Sequence, residues 1–452
     1  MTQTIEMAPI AALKAWKRNA RTHSQKQIQQ IAASIKEFGF NNPILIDQEN
    51  SILAGHGRWA AASALGLDEV PVLRVEHMSA EQKRAYVLAD NRLAEKAGWD
   101  EDTLRIELGE LSALELDFDV EITGFATAEI DLLIDGPTKL AKADPADAQP
   151  AVAEGVAVTR RGDLWRLGEH LLFCGDSRAR SSYGALLAGE KARLVFADPP
   201  YNVPIEGHVC GLGSVKHREF ACASGEMSRG EFVAFLTTIF QRLSEVSVDG
   251  AIHYQCMDWR HASEMLEAGH AVYSGLKNVC VWVKDNGGMG SFYRSQHELV
   301  FVWKVGTEPH VNTIELGRHG RYRTNVWSYA GVNTLKANRM DELAMHPTVK
   351  PVALVSDAIK DASKRGDLVI DAFGGSGTTL IACEKTKRRS RLVEIDEHYC
   401  DVIVRRWQAF TGREAVLVAT SQTFGTVAAV RGGVNSEPGP ENAERLADLA
   451  LA

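Results

Sequence analysis

Leu194-Val195-Phe196-Ala197-Asp198-Pro199-Pro200-Tyr201 carries the clearest architectural signal in this 452-residue chain. Four apolar residues closed by an acid, two prolines and an aromatic read as a buried parallel strand that delivers a rigid loop at its carboxyl end. Proline fixes φ and has no amide hydrogen, so the loop is stiff and its carbonyls are left as acceptors facing the space beyond the strand. In open α/β sheets that space is where ligands bind.

Farther along, Leu368-Val369-Ile370-Asp371-Ala372-Phe373-Gly374-Gly375-Ser376-Gly377-Thr378-Thr379 reads as strand, glycine turn and helix start. A further apolar strand, Leu392-Val393-Glu394-Ile395-Asp396, follows about 20 residues later, the span of one βαβ unit with an acid placed for ribose hydroxyls. Together the stretches resemble the S-adenosylmethionine-dependent amino methyltransferases of DNA. Asp-Pro-Pro-Tyr matches that family's catalytic motif and Phe-Gly-Gly-Ser-Gly-Thr its cofactor loop, while His346-Pro347-Thr348-Val349-Lys350-Pro351 matches a third motif. The catalytic motif precedes the cofactor loop, as in the permuted β-type arrangement. The resemblance runs from about residue 160 to 415 and implies a Rossmann-like α/β methyltransferase domain.

It also implies methyl transfer from S-adenosylmethionine to an exocyclic amine of a base flipped out of double-stranded DNA. Such an amine is a poor nucleophile because its lone pair is delocalised into the ring. Asp198 and the carbonyl of Pro199 are expected to accept its two hydrogens and so localise the lone pair, with Pro200 stiffening the loop and Tyr201 stacking on the base. Fixed acceptors of this kind act where charge develops. For the cofactor, the backbone of Phe373, Gly374, Gly375, Ser376, Gly377 and Thr378 allows close approach because glycine lacks Cβ. Glu394 is placed for the ribose. By analogy with the family, Lys350 meets the methionine carboxylate, and Asp176 is a cofactor contact, with a strand-end turn as the alternative. No metal is needed, since a sulfonium brings its own leaving group.

Adenine N6 is the expected target, because the tetrapeptide begins with Asp; cytosine N4 stays open. Enzymes that methylate the cytosine ring carbon need a nucleophilic cysteine, usually after proline, and the chain has no Pro-Cys dipeptide. A dinucleotide-binding dehydrogenase would show G-x-G-x-x-G early in its domain, whereas this glycine loop has a different spacing and comes late.

The first hundred residues form a separate pattern. Ile28, Ile31, Ala32, Ile35 and Phe38 repeat at helical spacing ahead of Gly39, a C-cap. Pro43-Ile44-Leu45-Ile46 and Ser51-Ile52-Leu53-Ala54 read as strands, and Gly55-His56-Gly57-Arg58 as a turn into a helix from Trp59 to Leu65. From about Asn19 to Asp102 this is similar to the ParB/sulfiredoxin-like domain, whose equivalent loop contacts nucleotide phosphates. Gly55, His56, Gly57 and Arg58 are the expected phosphate loop, and a purely structural turn is the alternative. Sulfiredoxin chemistry needs a cysteine in this loop, and the first cysteine is Cys174.

The expected organisation is a small α+β ParB-like domain over 1–134, an Ala-, Pro- and Asp-rich exposed linker over 135–158, the methyltransferase domain over 159–425 and a flexible tail over 426–452. Residues 100–134 read as amphipathic helix, with Leu104, Leu108, Leu111 and Leu114 on one stripe. The formal net charge is −9, so DNA is expected at a local basic surface. Arg318, Arg321, Arg323, Lys336 and Arg339, interleaved with aromatics and asparagines between about 304 and 345, are the candidates for that target-recognition surface. The seven scattered cysteines fit a reducing compartment, and no stretch reads as a signal peptide or membrane span. The expected place is therefore the cytoplasm, at the nucleoid, with a homodimer and a nucleotide at the N-terminal domain as open additions. The rival function is a ParB-like, nucleotide-dependent DNA-binding protein whose methyltransferase half is inactive.

Overall fold

The computed structural model describes residues 4–114, 116–136, 145–150, 152, 155–203, 225–284, 292–314, 323–329 and 349–432. The chain divides into two compact units, Met1–Gly136 and Pro137–Ala452. Among the described residues no helix is long and apolar enough to cross a membrane.

The first unit is a four-stranded sheet of β1 (Ile5–Pro9), β2 (Ile44–Ile46), β3 (Ile52–Ala54) and β4 (Glu69–Arg74) in the order β1-β4-β2-β3. Its helix Gln25–Phe38 starts where the Ser24 side chain accepts the Gln27 amide and stops at Gly39, φ 84°. Ile44, Ile46, Ile52, Val70 and Val72 fill its core. Sequence periodicity missed β1 and β4. Only Ala8 of β1 is buried, so the strand has no alternation to see, and it exists through its antiparallel ladder to β4. The acidic stretch forms two helices, Glu101–Ala113 and Thr127–Asp135, with Leu108 buried but Leu114 beyond the helix end and 61% exposed.

The second unit is built on one large sheet. Its strands are β5 (Leu164–Leu167), β6 (His170–Cys174), β7 (Ala192–Ala197), β8 (Ser247–Met257), β9 (Gly275–Val283), β10 (His297–Lys304), β11 (Val326–Ser328), β12 (Leu368–Asp371), β13 (Arg389–Glu394), β14 (Val416–Leu417) and β15 (Gln422–Thr423). They lie in the order β11-β9-β10-β8-β7-β12-β13-β6-β5-β14-β15. The centre, β8-β7-β12-β13-β6, is parallel. Both faces are covered, which is why β7 reads as unbroken apolar sequence rather than alternation. Leu194 and Phe196 pack on one side with the helices Val352–Ala362 and Thr378–Thr386, and Val195 and Ala197 on the other with Arg229–Glu245. From β7 the chain crosses to β8, whereas β12, which arrives much later, pairs on the opposite side of β7. The carboxyl ends of β7 and β12 therefore flank a topological switch point, and the permuted motif order still brings both loops to one crevice.

Two boundaries differ from the expected ones. Residues 145–147, read as exposed linker, are held by the second unit: Ala146 is buried and Asp147 accepts the Val352 amide at the start of Val352–Ala362. The described part of the expected tail, 426–432, belongs to the helix Phe424–Gly432, fastened by buried Phe424 and Val427 and by Arg431 on Asp163. Residues 433–452 lie outside the described residues.

Candidate active site

One pocket sits over the carboxyl ends of β6, β7, β12 and β13. Asp198, Pro199, Pro200 and Tyr201 line it from β7, and Phe373, Gly374, Gly375, Ser376 and Thr378 from the turn after β12. Glu394, at the end of β13, Asp176, beyond β6, and Lys350 complete the set, so residues far apart in the sequence converge. Gly377 does not line the pocket. With φ 84° it is the left-handed residue that opens Thr378–Thr386, and a Cβ there would lie 3.2 Å from Ile403.

The glycine turn is held by the two acids at its flanking strand ends. Asp371 accepts the Phe373 amide at 2.9 Å and the Thr379 hydroxyl at 2.6 Å. Glu394 accepts the Gly375 amide through Oε2 at 2.7 Å and the Asp396 amide through Oε1 at 2.9 Å. Burial pushes both carboxyls up, to about 7 each, against these hydrogen bonds. Arg406, buried, braces the turn from outside by donating to the Ser376 carbonyl at 3.0 Å and the Ala146 carbonyl at 2.8 Å. Asp176 is clasped by Arg178, whose guanidinium, together with the Arg178 amide, outweighs burial and holds its carboxyl low.

The acid of the tetrapeptide belongs to a buried charge cluster. Lys350 Nζ donates to Asp198 Oδ2 at 2.6 Å and lies 2.9 Å from Glu298 Oε2 on β10. The Tyr201 hydroxyl donates to Asp198 Oδ1 at 2.6 Å, and Lys284, just after β9, pairs with the other oxygen of Glu298. Two acids and two lysines balance, which is how such charges are tolerated away from water. Burial pushes Glu298 up, but Lys350 and Lys284 outweigh it and hold the carboxyl at about 2. For Asp198 burial is the larger influence, and it lies above the ordinary carboxylate value despite Lys350. The Lys350 ammonium is held well above its usual range because the two acids outweigh its burial. Lys350 therefore sits against the acid of the tetrapeptide, not where family analogy puts it, at a cofactor carboxylate. Its three donors are taken by Asp198, Glu298 and Tyr201.

Among the described residues no donor reaches the Pro199 carbonyl, which leaves it an acceptor at the pocket wall. Arg323, expected at a DNA groove, is instead turned inward. It donates to Asp361 at 3.0 Å and to the Tyr329 hydroxyl at 2.8 Å and lies 3.7 Å from Asp357, because two acids of Val352–Ala362 face it. Arg318, Arg321, Lys336 and Arg339 lie outside the described residues, as does His346-Pro347-Thr348. In the first unit, Gly55 (φ 99°) opens the helix His56–Ala64, and Arg58 is folded back toward it, donating to the Pro43 carbonyl at 3.3 Å. His56 accepts the Trp16 amide at 3.2 Å, and a Cβ on Gly57 would lie 2.9 Å from Ile31.

The family described as DNA methylase matches residues 192–405, which contain the tetrapeptide, the glycine turn and Glu394. The ParB N-terminal domain matches 1–92 and the ParB-methyltransferase HTH domain 102–161. The chain carries a DNA methylase domain of the N6/N4 family, with a ParB N-terminal domain in front. Members of this methylase family take their methyl group from S-adenosylmethionine. The chain is 47% identical over 76 residues, 17% of its length and 87% of the relative's, to the ParB-like nuclease domain-containing protein YnaK of Escherichia coli K12. It is 24% identical over 249 residues to the DNA adenine methyltransferase YhdJ of the same organism, covering 49% of the chain and 77% of the relative. The M1.HpyAVI–SAM complex superposes with a TM-score of 0.37 at 17% identity, over 52% of this chain and 98% of that one.

Sequence reasoning missed Glu298, Lys284 and Arg406. An acid inside the apolar run His297-Glu298-Leu299-Val300 was a usable signal, since a charge in a buried strand needs a partner. Nothing local marks Arg406, whose role depends on how its helix packs behind the turn.

Proposed function

We propose that the methylase transfers a methyl group to the N6 amine of adenine in double-stranded DNA, on a base flipped into the pocket. The observation that carries this is the pairing, at one switch point, of a fixed carboxylate and a carbonyl to which no described residue donates with an acid-lined cofactor cradle. The name of YhdJ and the Asp that opens the tetrapeptide favour adenine over cytosine N4.

The pocket suits S-adenosylmethionine, a cation with ribose hydroxyls and a flat base. Asp176, Asp371, Glu394 and Asp396 give it acidic walls, while Phe196, Phe235, Phe373 and Ile395 supply apolar ones. When bound, S-adenosylmethionine supplies a methyl group activated by a positive sulfur. The chain does the rest. Glu394 accepts from the ribose, and the glycine turn leaves room for the amino-acid part. Asp198 Oδ and the Pro199 carbonyl accept the two amine hydrogens, so the lone pair is held toward the methyl group. Their positions are set before reaction, so little reorganisation is needed as charge develops. Lys350 and Tyr201 fix the rotation of the Asp198 carboxylate, and that carboxylate takes the proton released from the amine.

The test is Asp198→Ala, assayed with labelled cofactor and unmethylated duplex DNA followed by nucleoside analysis. Methyl transfer should be abolished while cofactor affinity stays close to that of the unsubstituted chain. Asp198→Asn should keep a trace, since its carbonyl still accepts a hydrogen bond. Near-normal transfer by the alanine variant overturns the assignment, and N4-methylcytosine as product overturns the choice of base.

A further inference from the structure

The same sheet edge carries a feature that the reaction at Asp198 does not use. Phe292 and Tyr293 are 86% and 81% exposed, with ring centroids 4.5 Å apart edge to face. Trp259, beyond the end of β8, is 50% exposed, and its indole N–H donates to Ser295 Oγ at 3.0 Å. That bond ties it to the segment entering β10. Because β10 runs antiparallel to β8, with Leu299 opposite Met257, both loops emerge on the edge where β7 ends in Asp198. Three large rings in water along one rim mark a binding surface, not a core.

Cationic side chains lie beside them, one of them balanced by an acid. Arg260 lies over the Trp259 ring, 5.3 Å from its centroid, and pairs with Asp258 at 3.1 Å. Arg294 is exposed and makes no ion pair among the described residues. The rim is also close to the chemistry. Tyr293 is separated from Glu298 by at most about 18 Å of extended chain, and Glu298 shares Lys350 with Asp198. That reach is about five base steps along one strand.

Resting on the reading of the pocket as a base-methylating site, we propose that Trp259, Phe292 and Tyr293, with Arg294, form a stacking surface for DNA beside the extruded base. Removing a base from the duplex leaves its neighbours without a stacking partner, and aromatic rings replace that contact whatever the base. Arg294 adds a phosphate contact without reading sequence.

The test uses the full chain carrying Trp259→Ala or the pair Phe292→Ala and Tyr293→Ala, with filter binding to a labelled, unmethylated duplex of plasmid length. Unchanged thermal unfolding and S-adenosylmethionine calorimetry check that the variants remain folded. DNA affinity should fall about tenfold or more, with a matching rise in KM for DNA. Tyr293→Phe should keep both values, because the ring remains. Arg294→Ala should lower the slope of affinity against salt by about one. DNA affinity and KM unchanged in the alanine variants overturn the surface. So does a dimer of the unsubstituted chain that dissolves in the double variant while DNA affinity is kept, which would give the rim to a second copy. If the unsubstituted chain transfers no methyl group but its DNA binding still depends on the rings, the reading of the pocket fails and the surface stands.

Discussion

Asp198 works within a cluster, and its neighbours set its proton affinity. Glu298 lies on the far side of Lys350 and adds negative charge that pushes Asp198 upward. Glu298→Gln removes that push and leaves Asp198 as the one carboxylate paired with Lys350. The acid limb of the pH–rate profile should therefore move to lower pH, while cofactor affinity changes little. An unmoved limb would show that Glu298 serves packing only. Asp371 and Glu394 give a second pH dependence. Their folded values, about 7, lie above the ordinary carboxylate values, so the stability they contribute is complete at acid pH and is lost as pH rises through 7. A cationic ligand favours the ionised forms, so S-adenosylmethionine affinity should rise from pH 6 to pH 8, with proton release on binding near pH 6.5. Calorimetry in two buffers of different ionisation enthalpy measures that release directly.

At the scale of an element, the turn after β12 combines a backbone requirement with a packing one. Gly377 needs φ 84° and has Ile403 3.2 Å from its missing Cβ, whereas Gly374 meets the tip of Ile403 at 3.0 Å without a left-handed backbone. Gly377→Val should cost roughly 1–3 kcal/mol of stability and weaken cofactor binding, since strain and crowding act together. Gly374→Ala should cost less, because the Ile403 side-chain end can shift. Thermal unfolding of the two variants separates strain from crowding, and equal losses would show that packing against Ile403 dominates.

For the whole molecule, division into two compact units implies that the second carries its own core. A chain starting at residue 137 keeps the segment 145–147 that Arg406 and Val352 hold, so it should fold and bind S-adenosylmethionine like the full chain. Its methylation of DNA measures what the ParB unit adds. Loss of activity only at raised salt would assign that unit a share of the DNA contact.

Parallel strands buried on both faces are legible in a single sequence because they leave unbroken apolar runs such as Leu194–Ala197, and glycine turns are legible because few residues adopt their backbone. The tetrapeptide, the cofactor loop and Glu394 could thus be picked out and matched to a family by sequence alone. The partners of Asp198 could not. Lys350 reaches it from 152 positions along the chain, and Glu298 and Lys284, from β10 and just after β9, strands that lie beyond β8 from β7, join the cluster through Lys350 and through each other. The same holds for Arg323, whose basic neighbourhood suggested DNA until the packing of Val352–Ala362 placed two carboxylates against it. Local sequence determines backbone shape and burial; which charges meet inside the protein is decided by strand order, and only the tertiary structure supplies that.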